Sequence, residues 1–247
     1  MRNFKILLQY DGTRYQGWQR QISTDNTIQG KLEALLSKMC DAPIEIQGAG
    51  RTDAGVHALG QVASFHMDTD KTPEEIMAYM NAYLPEDISV ISCEEKPERF
   101  HARLNAKGKV YRYCIWNSAN KPVFRRKYVH QVPGELDMAA MKQAAACLLG
   151  THDYQSFTSA KRGKKSTVRT VDSIEIERSG EEVLFTFKGN GFLYHMVRIM
   201  MGTLIETGLG IRKAEEIPRI LEAKDRSKSG HLIPGKGLTL MEVIYDN

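Results

Sequence analysis

Residues 4–10 read as a strand that ends in the turn signal Asp11-Gly12. Thr27 then caps a helix whose apolar residues Ile28, Leu32, Leu35, Leu36 and Met39 follow helical spacing. Strands are predicted over 44–47 and 61–67, flanking a loop with glycines at 48, 50 and 55. Thr72-Pro73-Glu74-Glu75 opens a second helix, with Pro at its first position and a capping-box Glu, and the helix runs to about Leu84 before Pro85. Further along, 109–116 is a strand rich in β-branched and aromatic residues, and Asp137 caps a helix predicted to end at Gly150. Residues 168–177 and 182–188 alternate like a hairpin around Ser179-Gly180. The most apolar helix is expected over 192–207, with Gly208 as its C-terminal cap; a shorter helix covers 214–223 and a strand 238–245 closes the chain.

The element order gives each half several strands and two helices, although no repeat is visible in the residues. The expected fold is α+β: two related α/β halves, 1–105 and 106–247, with mixed, mostly antiparallel sheets joining at a central cleft and helices on the outer faces. Hydrophobic residues at 42% are ample for a core, and no apolar stretch nears the ~20 residues of a membrane span. The N-terminal apolar run is too brief for a secretory signal, so a cytoplasmic location is expected. Four scattered cysteines without a Cys-x-x-Cys pair point to buried free thiols rather than a zinc cluster or redox dithiol. The balance of 34 basic against 30 acidic residues is mildly positive and suits a polyanionic partner.

The candidate chemistry sits in Gly48-Ala49-Gly50-Arg51-Thr52-Asp53-Ala54-Gly55. Glycines let the backbone take shapes other residues resist and let another molecule come close. A carboxylate at Asp53 is either presented to a ligand or turned back on its own backbone as an Asx turn. His57 is either a general base or a satisfied structural histidine. On 109–116, alternation puts Tyr111, Tyr113 and Ile115 on one face and Arg112 on the other. Arg198 interrupts an apolar helix, so it is either paired or keeps its head in water at the helix edge.

Gly50-Arg51-Thr52-Asp53-Ala54-Gly55-Val56-His57-Ala58 resembles the signature of the tRNA pseudouridine synthase A family, which modifies the anticodon arm. The resemblance runs along nearly the whole chain: Tyr10-Asp11-Gly12 with Gly17-Trp18-Gln19, Leu84-Pro85-Glu86-Asp87-Ile88, Phe100-His101-Ala102-Arg103, Tyr111-Arg112-Tyr113, Gly150-Thr151-His152-Asp153-Tyr154, Gly189 to Arg198, and Gly235-Lys236-Gly237-Leu238, in order. It implies isomerisation of uridine to pseudouridine at tRNA positions 38–40, with Asp53 as the nucleophilic or basic catalyst acting on a flipped-out nucleotide. It further implies Arg51 beside that nucleotide, Tyr111 stacked on the uracil, Leu238 as an apolar wall, and Arg198 paired with the catalytic carboxylate. The reaction consumes no electrons, phosphates or external atoms, so neither metal nor cofactor is expected. The implied partners are tRNA and a second subunit in a homodimer. Two sequence departures stand out: Thr239 occupies a place that is aromatic in many members, and Ala49 one that is often serine.

Basic runs at 121–127 and at Lys161-Arg162-Gly163-Lys164-Lys165 fall in predicted loops. Lys161, Arg162, Lys164 and Lys165 are the expected contacts to the RNA backbone, because structured RNA is read largely through shape and phosphates. Residues 230–237 have the glycine and lysine spacing of a phosphate loop but lack its Ser/Thr and a preceding strand, and Gly189-Asn190-Gly191 is half a dinucleotide fingerprint. No His-x-x-x-His pair occurs. The rival reading from another class is a tRNA-binding protein or chaperone that keeps the scaffold without activity.

Overall fold

A computed structural model describes residues 1–246 other than 162 and 164. The chain divides into two compact units, Met1–Lys107 with the residues from 239 onward, and Gly108–Leu238.

In the first unit, β1 (Arg2–Tyr10) lies antiparallel between β3 (His57–Met67) and β4 (Ile88–Lys96). A short β2 (Ile46–Gly48) pairs with one end of β3, and β10 (Leu238–Ile244) runs parallel to its start, Thr239 opposite His57. Alternation along β1 buries Phe4, Ile6, Leu8 and Tyr10, and Phe4 stacks on its cross-strand partner Phe65 with ring centroids 5.6 Å apart. The helix α1 (Ile28–Cys40) is capped by Thr27 as expected and buries Ile28, Leu32 and Leu36. α2 (Pro73–Tyr83) carries the complete Thr72/Glu75 capping box and packs along β4. β4 was not among the expected strands; its apolar residues are few, and only Ile88 and Val90 are fully buried. β3 starts at His57, four residues before the predicted 61, because Gly60 lies against the β10 backbone, where a Cβ would come within 2.2 Å of the Met241 carbonyl oxygen.

In the second unit β5 (Gly108–Trp116), β9 (Glu182–Gly189), β8 (Val168–Ser179) and β7 (Gly150–Asp153) form an antiparallel array in that order, with a two-residue β6 (His130–Gln131) parallel to β5. Helix α3 (Met138–Ala146) stops short of Gly150. Its end tightens into three-residue hydrogen bonds at Leu148 and Leu149, and the Tyr154 hydroxyl takes up the carbonyls of Leu148 and Gly150. α4 (Met196–Gly208) begins four residues later than predicted, since the preceding stretch is tied elsewhere. Asn190 exchanges hydrogen bonds with Thr170, the Tyr194 carbonyl accepts from Thr158 and Ser159, and His195 sits at φ 65°. Gly208 is the last helical residue rather than the cap: its missing Cβ makes room for Met141, while Gly210 takes the left-handed turn at φ +72°. The predicted helix at 214–223 opens as a 3₁₀ turn and is α-helical only as α5 (Ile217–Ala223). Of the four thiols only Cys114 is buried, a correction to the expectation for Cys40, Cys93 and Cys147, which are partly exposed. No described helix is long and apolar enough to cross a membrane.

Candidate active site

The loop at 48–56 is held on three sides by its own unit. Ala49 donates to Val62 O at 2.7 Å, and the fully buried Gln61 side chain grips Gly50, donating to its carbonyl at 2.9 Å and accepting its N–H at 3.3 Å. Thr52 points inward at 7% exposure, its hydroxyl 2.8 Å from that of Tyr10, and its carbonyl accepts the Trp18 N–H. Burial pushes the Tyr10 hydroxyl upward, so it stays protonated and polar in a dry setting. Beside the inward Thr52, Arg51 is exposed and Asp53 half-buried. The Asp53 carbonyl accepts from Val56 across Gly55 at φ +73°, which closes the turn that follows.

The block at 10–19 of that unit braces this loop. Gly17, at φ +94°, lies so close that a Cβ would meet the Thr52 carbonyl at 2.7 Å, and one at Gly12 would overlap the Val56 carbonyl. Gly48 lies flat against the Trp18 ring. Asp87 in turn steadies the first block, accepting from the Tyr15 hydroxyl at 2.6 Å and pairing with Arg14 at 2.7 Å. His57 is 4% exposed; its Nδ1 accepts the Gly12 N–H at 3.0 Å and lies 3.1 Å from Asp11 Oδ1. One nitrogen cannot accept from Gly12 and donate to Asp11 at once. The backbone bond is the better reading, since the Asp11 oxygen already takes the Thr13 N–H and hydroxyl. His57 is therefore the satisfied structural histidine, not a base open to substrate.

In the second unit Tyr111, 8% exposed, meets the Phe192 ring edge-on with centroids 5.4 Å apart. Tyr113 and Ile115 lie on the same strand face and are fully buried. Every residue of α4 is buried except Arg198, which is half-buried and donates from Nε to Ile233 O at 2.8 Å. The strap at 229–237 that supplies this carbonyl lies along α4: a Cβ at Gly202 would come within 1.9 Å of the His231 carbonyl, and Gly230 donates to Thr203 Oγ1. The Tyr113 hydroxyl donates to Pro234 O at 2.7 Å, and Gly237 lies on its ring. The strap thus delivers Leu238, 6% exposed, at the start of β10. It has no strand before it and is a brace, not a phosphate loop.

Lys161 and Lys165 are exposed, whereas Arg162 and Lys164 lie outside the described residues. Among the described residues no group of three or more His, Cys, Asp or Glu could hold a metal ion. Sequence reasoning gave no role to Gln61, Tyr10 or Phe192. Only Gln61 lay outside every matched block, and its one signal was a glutamine amid the apolar residues of β3.

The sequence profile of the tRNA pseudouridine synthase family matches residues 6–105 and 144–246. The chain is 49% identical over 245 residues to tRNA pseudouridine synthase A 2 of Bacillus cereus (strain ZK / E33L), covering 99% of this chain and 100% of that one. It is 45% and 42% identical, with the same coverage, to the tRNA pseudouridine synthases A of Brevibacillus brevis and Acetivibrio thermocellus. A solved structure of a Cbf5-Nop10-Gar1 complex overlaps at TM-score 0.39 with 15% identity, over 86% of this chain and 44% of that one. Identity of that order along the full length, with a family match over most of the chain, leaves one assignment: the chain belongs to the tRNA pseudouridine synthase family.

Proposed function

We propose that this protein isomerises uridine to pseudouridine at positions 38–40 in the anticodon arm of tRNA, with the Asp53 carboxylate as the catalytic group. In that reaction the bond from C1′ to N1 breaks, the base turns, and a bond from C1′ to C5 forms. The C5 proton leaves and N1 gains one, so atoms balance without a co-reactant. Carboxylates act as nucleophiles at sugar carbons and as bases, and either use requires a charged oxygen facing the nucleoside.

The observation that supports this reading is the inward pinning of Thr52 in a loop held by Gln61, Gly17 and Trp18, with Arg51 exposed and Asp53 half-buried on either side of it. A target base taken from its stack costs a few kcal/mol. Stacking on Tyr111 returns about 1–3 kcal/mol, with Leu238 as the apolar wall and Arg51 filling the place the base vacates. Arg198 pairs with the Asp53 carboxylate and holds it oriented. Lys161, Arg162, Lys164 and Lys165 contact the RNA backbone. The protein acts in the cytoplasm as a homodimer.

Single-turnover conversion of a uridine-containing anticodon stem-loop is the test. Asp53→Asn should lose at least about a thousandfold in rate while still binding the RNA. Arg198→Lys should also be slow despite keeping its charge, because a lysine cannot hold the Ile233 carbonyl and a carboxylate with the same planar fork. Full-rate conversion by Asp53→Asn would remove the proposal. A wild-type protein that binds the stem-loop without converting it would favour an inactive tRNA-binding protein or chaperone.

A further inference from the structure

Residues 121–128 form a loop of the second unit that the site does not use. Its two ends are anchored: Pro122 is buried, and Val129 is fully buried. Everything from 123 to 128 is exposed, and Phe124 reaches 95% exposure. An isolated apolar residue at a surface is ordinary. This one is unusual because the loop beneath it is rigidly built. The Trp116 indole donates to Asn120 O at 2.9 Å, and the Gln131 amide donates to the carbonyls of Ser118, Ala119 and Asn120 within 3.2 Å. Above that base, Arg125 donates to Pro122 O, Tyr128 to Arg125 O, and the Arg126 guanidinium to Val123 O at 2.6 Å. The chain is turned tightly enough to fix its path, and it projects an aromatic ring instead of folding it inward.

The charge along this segment of the chain is of one sign. Between residues 117 and 134 there is no Asp or Glu, while Lys121, Arg125, Arg126 and Lys127 all fall within seven positions. Arg125 pairs with Glu182, at the start of β9, at 3.1 Å. An exposed aromatic ring next to cations in sequence, on a hydrogen-bonded loop, matches how proteins hold unpaired nucleotides: bases stack on the ring while the phosphates are neutralised. A second copy of the same loop would bring like charges together, which disfavours self-association through it.

We propose that Phe124 is a stacking platform for an unpaired nucleotide of the bound tRNA, with Lys121, Arg126 and Lys127 tracking the phosphates on either side. This inference rests on the reading of the protein as a tRNA enzyme. Binding of a full-length tRNA transcript, titrated at several salt concentrations, tests it. Phe124→Ala should weaken binding about tenfold with the salt slope unchanged, since no cation is lost. The paired change Arg126→Ala and Lys127→Ala should flatten the slope. Phe124→Trp should bind like wild type, and its added emission should be quenched by tRNA. Because the side chain is exposed, thermal melting of these variants should match wild type. Unaltered affinity in Phe124→Ala, or an unquenched Phe124→Trp, overturns the platform while leaving the enzyme reading intact. A wild-type protein that fails to bind tRNA at all overturns both. A changed sedimentation coefficient in Phe124→Ala, with tRNA affinity otherwise normal, would assign the ring to a second copy, and gain of binding to anionic vesicles over tRNA would assign it to a membrane surface.

Discussion

At the scale of single residues, the loop that carries Asp53 is shaped by groups that do no chemistry. Gln61 is the clearest case. Its amide satisfies both backbone groups of Gly50 from a fully buried position, one residue before Arg51. Replacing it by leucine would keep the volume but leave a partly buried N–H and C=O without this partner, which costs about 1 kcal/mol or more. Gln61→Leu is therefore expected to lower the unfolding free energy from urea titration by that amount and to slow turnover while leaving tRNA affinity close to wild type. A variant with normal stability would show that water or a neighbour replaces the amide. The reach of Gln61 was hidden in the sequence, because a glutamine in a strand gives no sign of which backbone, 11 residues away, it will meet. The inward turn of Thr52 toward Tyr10 was equally hidden.

At the scale of elements, α4 and the strap at 229–237 behave as one piece. Their backbones approach so closely at Gly202 and Gly230 that neither position has room for a side chain. Gly202→Ala would place a Cβ within 1.9 Å of the His231 carbonyl, and neither backbone can yield without the other. Overpacking of this kind costs about 1–3 kcal/mol. The expected result is a lower melting temperature together with a slower enzyme, since the strap also carries Ile233, the acceptor for Arg198, and leads into Leu238. Stability lost with turnover intact would separate the strap from the site. Helix α1 and the capping box of α2 were legible beforehand because capping is local. The start of α4 was not: the apolar run 192–195 matches the helical pattern, but distant partners claim its backbone.

At the scale of the whole molecule, acid should weaken the fold through groups of the second unit. Burial and the nearby charge of Lys236 hold His130 below its usual 6.5, so its neutral form is the folded one. That contribution is present above the unfolded value and is lost as pH falls through the lower folded value. Glu206 lies in a different balance: burial pushes it up, but hydrogen bonds from His231 and Arg212 outweigh this and hold it below its usual 4.5. Its contribution is present above 4.5 and disappears as pH drops through the depressed value. Urea midpoints should decline from pH 7.5 to 5.5 and again towards pH 3.5. Glu206→Gln should start lower at pH 7.5 and show a shallower second decline; an acid limb as steep as wild type would clear the cluster of that role. By itself, the sequence determined the α+β class, the order and kind of most elements, the capped helix starts and the family, because alternation, helical spacing, caps and contiguous motifs are properties of neighbouring residues. Only the tertiary structure decided that His57 is sequestered, that the glycine-rich strap braces α4, and that Gln61 holds Gly50, because these depend on approaches between segments apart in the chain, which no local pattern encodes.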